Sequence, residues 1–324
     1  MKQTYGWILV GILAAGAAAA AAAAAAAQAP SRFRSSVDLV ALNVVATDGQ
    51  GRLISGLNSE DFSVSEDGVP QQISFFAATA MPIDLAILLD TSASMNDKIA
   101  TVQAAAVGFI SAIRAGDRVT VVDIKDNVRV IHPLNEDASG ARAAIMATTA
   151  KGNTSLYNGL YMMLRELMKQ RGAGGDSRRQ AIVVLSDGDD TTSLVSYDDV
   201  SELARRSGVA IYTITLRSPF ARNALARISS GISEAEFSMK ELSMLTGARA
   251  FFPTAITELA GVYGLIAEEL ATQYSLGYSP ANSRRDSAFR RIDVRIDRPG
   301  IRARTRTGYL AGSAAIASNA PAAP

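Results

Sequence analysis

The sequence predicts an α/β fold: a doubly wound, mostly parallel six-stranded sheet inserted in a small antiparallel β-sandwich that the N- and C-terminal segments build together. Three observations lead there. Residues 83–89 and 181–185 are apolar on both faces, and an acid (Asp90, Asp187) closes each run, as in buried parallel strands. Around them, strand-like and helix-like patterns alternate at the spacing of βαβ units. On either side of that region lie short stretches with a period of two, the mark of half-buried strands.

In chain order, residues 1–29 read as a targeting segment. Lys2 gives a short positive start, residues 7–27 are apolar or small, and 17–27 are unbroken alanine. Small-x-small sites end at Ala27 and at Ala29, and Pro30 disfavours the second, so a signal peptide cleaved near Ala27 is expected. The alternative is an uncleaved N-terminal membrane anchor, since the stretch matches a span of ~20 residues. Either makes the protein exported: periplasmic, cell-surface or secreted.

Residues 36–79 read as a β segment: a strand at 37–47, a glycine hairpin turn at 48–51, extended chain at 52–54 and a helical turn at 57–62 capped by Asn58 or Ser59. Alternation at 62–66, a turn at 67–70 and a strand at 71–75 complete it. About forty residues are too few for an independent core. The alternating stretches 273–278, 289–296 and 301–305 supply the partner, so residues 272–310 join the same sandwich. Residues 311–324, rich in Ala, Ser and Pro, read as a disordered tail.

Residues 82–271 form the inserted unit. Val102, Ala105, Ala106, Phe109, Ile110 and Ile113 stand at helical spacing within 98–114. A strand follows at 119–124. The turn Lys125-Asp126-Asn127 is too short for a crossover, so the strand at 128–131 is an antiparallel edge. Next come a helix at 138–148, a helix striped by Leu156, Leu160, Met163, Leu164 and Leu167, and a charged loop at 172–179. After the strand at 181–185 the pattern gives a helix at 198–207, a strand at 209–216, a helix at 239–246, a strand at 250–252 and a helix at 256–272. With right-handed crossovers and strand order 3-2-1-4-5-6, the first and fourth strands meet at the switch point. Asp90 and Asp187 then face each other across the crevice where such sheets bind ligands, and Thr154 arrives at the start of the helix between them.

The run Asp90-Thr91-Ser92-Ala93-Ser94 offers one carboxylate and two hydroxyls at alternate positions, half an oxygen shell for a hard divalent cation. Taken alone, it equally suits a loop whose hydroxyls cap the next helix. Read together with Thr154 in the polar loop 151–155 and Asp187 in Ser186-Asp187-Gly188, it resembles the von Willebrand factor type A (VWA) domain and its metal-ion-dependent adhesion site (MIDAS), with DxSxS, a later threonine and a (T/S)DG turn. The resemblance spans residues 83–270 and implies a Rossmann-like VWA fold. It also implies Asp90, Ser92, Ser94, Thr154 and Asp187 as metal residues, and a protein partner whose Asp or Glu completes the coordination. Mg²⁺ is the expected ion, with Mn²⁺ or Ca²⁺ as alternatives; two facing carboxylates repel unless a cation lies between them. Residues 57–68 and 273–280 resemble the flanks of exported bacterial VWA-related proteins.

Several residues near these motifs admit two readings. Asp189 and Asp190 are rim residues or a solvated turn, and Asn153 and Ser155 are helix caps or binding groups. Tyr157 and Tyr197 line the rim or pack beneath it. The long loop 217–231 is a specificity loop or a plain insertion. His132, after the edge strand, reads as surface structure.

Composition excludes several functions. With 32 basic and 31 acidic residues the net charge is +1, which argues against a nucleic-acid binder. No cysteine and one histidine exclude thiolate chemistry and a multi-histidine zinc site. There is no G-x-S-x-G elbow and no phosphate loop, and Lys125 is expected away from the strand tips, so no enzyme is expected. The leading reading is a metal-dependent binding or adhesion module. A structural subunit of a cell-envelope assembly, with metal as fold stabiliser, comes second, and a metal-dependent hydrolase third.

Overall fold

The computed structural model describes residues 39–78, 81–171, 178–187, 190–216, 233–312 and 316–317. The stretch read as a signal peptide or anchor lies outside them, as do Asp189 and the loop 217–231.

The chain begins with β1 (Leu39–Thr47), a 3-10 turn at Ser59–Asp61, β2 (Phe62–Glu66), β3 (Val69–Gln71) and β4 (Ile73–Ala77). Asn58 stands at the N-cap of the turn, one of the two positions expected there.

The central layer follows: β5 (Ile83–Asp90), α1 (Ile99–Ser111), β6 (Arg118–Ile124), β7 (Arg129–Asn135), α2 (Ala138–Met146), α3 (Leu156–Gln170), β8 (Arg179–Ser186), α4 (Tyr197–Ser207), β9 (Ala210–Thr215), α5 (Glu234–Leu245), β10 (Ala250–Phe251) and α6 (Leu259–Thr272). Its sheet runs β10-β9-β8-β5-β6-β7, the expected order, with β7 the antiparallel edge. Every residue of β5 and of β8 is buried, because helices cover both faces. Leu85, Ile87 and Leu89 point to one core with α1, α2 and α6, while Ala86 and Leu88 point to the other with α3, α4 and α5.

The chain closes with β11 (Tyr274–Tyr278), β12 (Phe289–Ile296), β13 (Arg302–Arg304), β14 (Gly308–Leu310) and β15 (Ile316–Ala317). These strands complete two antiparallel sheets, β13-β1-β11-β4 with β15 on β1, and β14-β12-β2-β3. The strict alternation of β12 puts Ile292, Val294 and Ile296 into the core shared by both sheets. At the polar end of that core Glu66, 2% exposed, accepts hydrogen bonds from Tyr278 Oη at 2.7 Å and Tyr309 Oη at 2.9 Å. The sandwich is thus made from both ends of the sequence. Its β4 and β11 are neighbours, with Ala77 opposite Ser275.

Five details differ from the sequence reading. His132 lies inside β7, not after it, and is 6% exposed; its ring meets Asn135 Oδ1 at 3.0 Å and its carbonyl accepts from Thr120. Lys125 directly follows Ile124, the residue paired with Asp90, so it stands at the strand tips after all. Helix α5 starts at Glu234, capped by Ser233, earlier than the apolar stripe indicated. Strand β14 has only three residues, too few to show a period. In the stretch read as a disordered tail, Ile316 and Ala317 pair with Val40 and Leu39.

Seam contacts join the two layers. One residue, Gln273, separates α6 from β11. Glu269, 3% exposed, accepts from Tyr212 Oη at 2.7 Å and pairs with Arg304. Gly247, at φ +77, brings its Cα so close to Thr305 and Arg306 that a Cβ would lie 2.4 Å from the Arg306 nitrogen.

Candidate metal centre

Strands β5 and β8 pair in parallel, with Leu89 opposite Leu185, so at the carboxyl edge Asp90 comes level with Ser186 and Asp187 follows one residue beyond. Asp90 is fully buried. Its Oδ1 accepts from the Ser92 backbone N–H at 2.9 Å, and its Oδ2 accepts from Ser186 Oγ at 2.6 Å. Burial pushes the Asp90 carboxyl above the usual range, and the charge of Asp187 adds to it, against the pull of the Ser186 and Ser92 hydrogen bonds.

The chain after β5 turns through a 3-10 segment at Ala93–Met95, which lays Ser92 Oγ 3.0 Å from Ser94 Oγ. Two backbone bonds tie this turn to the next loop: Lys151 N to Thr91 O at 2.8 Å and Ala93 N to Gly152 O at 2.9 Å. They bring Thr154 to the same edge. Its N–H donates to Thr191 Oγ1 at 3.0 Å and its carbonyl accepts from the backbone of Thr191 and Thr192 at 3.0 and 3.1 Å. Its side-chain hydroxyl makes no hydrogen bond among the described residues.

A set of supporting residues, unassigned from the sequence, holds this edge. Asp126 Oδ1 accepts from both the N–H and the side-chain amide of Asn153, each at 2.9 Å. Thr91 donates to Asp123, whose other oxygen lies 2.9 Å from Lys125 Nζ, and Lys125 also donates to Thr149 O at 3.2 Å. Lys98 Nζ bridges Ser94 O at 3.1 Å and Asp187 Oδ2 at 3.8 Å. Apart from Lys125 on Asp123 and Lys98 on Ser94, these contacts join residues tens of positions apart and leave no local pattern. Ser186 is the exception, since it fills the first place of the (T/S)DG turn.

Of the two-way readings, those on Asp190, Asn153, Ser155, Tyr157 and Tyr197 resolve by contact, while Asp189 and the loop 217–231 lie outside the described residues. Ser155 occupies the N-cap position of α3 but does not cap it; its hydroxyl lies 2.8 Å from Thr192 Oγ1. Capping comes instead from the loop after β8. Asp190 Oδ2 accepts from Tyr157 N at 2.8 Å, and Ser193 Oγ accepts from Asn158 N at 3.0 Å. Asp190 therefore fastens the Asp187 loop to α3. Tyr157 and Tyr197 pack edge to face at 6.0 Å against the second core.

The donors suit a hard cation: two carboxylates and three hydroxyls, all oxygen. A buried carboxylate supported only by uncharged donors, those of Ser186 and Ser92, has room for positive charge beside it. Among the described residues no group of three or more His, Cys, Asp or Glu side chains is placed to hold a metal, here or elsewhere, so hydroxyls make up the rest of this donor set.

Residues 84–248, about half the chain, match the family model of the von Willebrand factor type A domain. An uncharacterized protein of Synechocystis sp. is 30% identical over 112 residues, 34% of this chain and 26% of that protein. The chain thus spans about a quarter of the curated relative it matches. Among solved structures, a von Willebrand factor type A protein of Catenulispora acidiphila is similar at a TM-score of 0.49 and 12% identity, covering 86% of this chain and 75% of that one. Proximal thread matrix protein 1 from the mussel byssus, with a zinc-occupied MIDAS motif, is similar at a TM-score of 0.47 and 17% identity, covering 63% of this chain and 49% of its own.

Proposed function

The chain belongs to the von Willebrand factor type A domain family, and on that footing we propose that it is an exported, metal-dependent protein-binding module. Asp90, Ser92, Ser94, Thr154 and Asp187 hold a divalent cation, Mg²⁺ first, and an Asp or Glu of the partner completes its coordination. The single observation that carries the reading is the buried, uncompensated Asp90 carboxylate beside Asp187 and the paired hydroxyls of Ser92 and Ser94. The free hydroxyl of Thr154 supports it. A cation there lifts the repulsion between the carboxylates, and a carboxylate ligand then meets a net positive centre.

Binding is favoured over catalysis by the place of the one histidine. His132 pairs with Val121, three residues short of the strand end at Ile124, so no imidazole reaches Ser92 or Ser94 to activate it. Export is supported by the composition of residues 1–29.

The test is calorimetric titration of Mg²⁺ and Mn²⁺ into metal-free protein, beside Asp90→Ala. Saturable binding lost in the variant, together with metal-dependent capture of a partner, upholds the proposal; wild-type protein that is folded yet binds neither ion refutes it. One contact favours the second reading, a structural subunit of a cell-envelope assembly: Lys98 bridges Ser94 and Asp187 as a structural joint would. In that case Asp90→Ala lowers thermal stability and leaves capture unchanged.

A further inference from the structure

Far from the metal edge, a cleft of about 720 Å³ lies where the C-terminal ends of α4 and α5 meet the outer side of β12 and residues 303–307. Four arginines line it: Arg205, Arg291, Arg304 and Arg306. The acid on its wall, Asp293, is already engaged, its Oδ2 accepting from Arg295 Nε at 2.9 Å. Arg304 is neutralised by Glu269. Arg205, Arg291 and Arg306 have no carboxylate partner among the described residues.

Arg306 is the telling member. It is 7% exposed, yet its guanidinium makes a single hydrogen bond, from Nη2 to Ala41 O at 3.0 Å, and lies over the Tyr309 ring at 5.5 Å. Its Nε and Nη1 are buried without a hydrogen-bond partner. A buried cation is ordinarily matched by an anion, because desolvating it is costly. Burial holds the Arg306 guanidinium below its usual range, and Arg171 stands close enough to lower its own further, to about 10, by like charge after the larger effect of burial. The C-terminus of α4 at Gly208 lies beside Arg306 and carries about half a negative charge, less than the full positive charge of that guanidinium. Positive charge therefore accumulates at the floor of the cleft. At its mouth, exposed Arg205 lies over Phe289, its guanidinium carbon 5.8 Å from the ring centre, with Arg291 two residues along β12 from that ring.

We propose that this cleft binds an anion carrying two or more negative groups, phosphates or carboxylates, gripped by Arg205 and Arg291 above the uncompensated charge of Arg306. The volume is that of a ligand-sized pocket, larger than a lone inorganic ion needs. Planar guanidinium forks suit both anion classes, since each presents paired oxygens. This site is independent of the metal centre.

The experiment is calorimetric titration of pyrophosphate and, separately, of tricarballylate into the full chain at low ionic strength and free of divalent cations. The same titrations are made into Arg205→Ala/Arg291→Ala, Arg291→Lys and Asp90→Ala. Arg205 and Arg291 are exposed, so the double variant is expected to keep the wild-type melting temperature, which is measured alongside. Expected is saturable binding of one or both probes, at least tenfold weaker in the double variant, weakened by salt, intermediate in Arg291→Lys, which keeps the charge but loses the planar fork, and within threefold of wild type in Asp90→Ala. Pyrophosphate alone assigns the site to phosphates, and tricarballylate alone to carboxylates. Failure of both probes to bind, or equal binding by the double variant, overturns the proposal.

Discussion

Ser186 Oγ lies 2.6 Å from Asp90 Oδ2, although 96 residues separate them. The bond ties the tips of β8 and β5 together and, with the donors of Ser92, holds the buried Asp90 carboxylate. Ser186→Ala removes that donor and leaves the oxygen buried without it. Metal-free protein should lose about 1–3 kcal/mol, read from the midpoint of urea unfolding. A loss below a few tenths would show that the bond is not formed.

Asp90→Asn separates folding from metal binding. Asp90 is fully buried and faces the charge of Asp187, so neutralising it removes a desolvation cost and a repulsion at once. In chelator the variant should melt at or above the wild-type temperature. Added Mg²⁺ should raise the wild-type melt and leave the variant unmoved; at a hundredfold excess over Kd the wild-type gain is about 2.7 kcal/mol. A variant that still gains from Mg²⁺ would move the site elsewhere.

Asp126 sets the loop that delivers Thr154. Its Oδ1 takes two donors from Asn153, and a Cβ at Gly152, which sits at φ +78, would lie 2.1 Å from its Oδ2. Asp126→Ala frees the loop and should weaken Mg²⁺ binding about 10–100-fold, the usual cost of losing a group that orients metal ligands. Titration calorimetry measures this, and unchanged affinity would dismiss Asp126 as a positioning residue.

Gly247→Ala should be among the most damaging single-methyl changes in the chain. Positive φ costs a side chain about 1–2 kcal/mol, and contact with the backbone of Thr305 and Arg306 adds about 1–3 kcal/mol. Loss of most soluble protein, or a large fall in the denaturation midpoint, is the expected result.

The alkaline limb of stability should belong to buried tyrosines. Burial pushes the phenols of Tyr212, Tyr263, Tyr278 and Tyr309 well above the usual range, and that of Tyr197 up to about 12. Groups raised on folding contribute stability that is complete below the unfolded pKa of ~10 and lost as pH rises beyond it. Absorbance of tyrosinate should therefore appear together with loss of circular dichroism above pH ~10. Ionisation of all tyrosines in a still-folded protein would contradict the packing described.

The central sheet and its acidic edge were legible because buried parallel strands leave the plainest trace a sequence can carry. Runs such as Ile83 to Leu89 have no polar face, and Asp90 is conspicuous at the end of one. Strand order followed from handedness and from a turn too short to cross over. What escaped was whatever depends on contact between distant residues. The sequence neighbours of His132 suggest an exposed edge, but α2 is near enough that a Cβ at Gly140 would lie 3.1 Å from its ring. Ser155 looks like a cap, yet Asp190 and Ser193 arrive from the next loop to do the capping. Lys125 stands at the tips because β6 is in register with β5, a fact about pairing that no local composition records.

The adjacency of β4 and β11 has a mechanical meaning. A pull between β1 and β13 is borne by their own hydrogen-bonded rungs, which shortcut the covalent chain that runs from one to the other through the central sheet. A pull on the carboxyl edge of the central sheet behaves differently. It travels down two tethers rooted on neighbouring strands, Ala77 beside Ser275, and loads both together along their length. The head is thus bypassed when its base is stretched and doubly anchored when it is itself tugged, the arrangement of a grip that can hold while its mounting flexes.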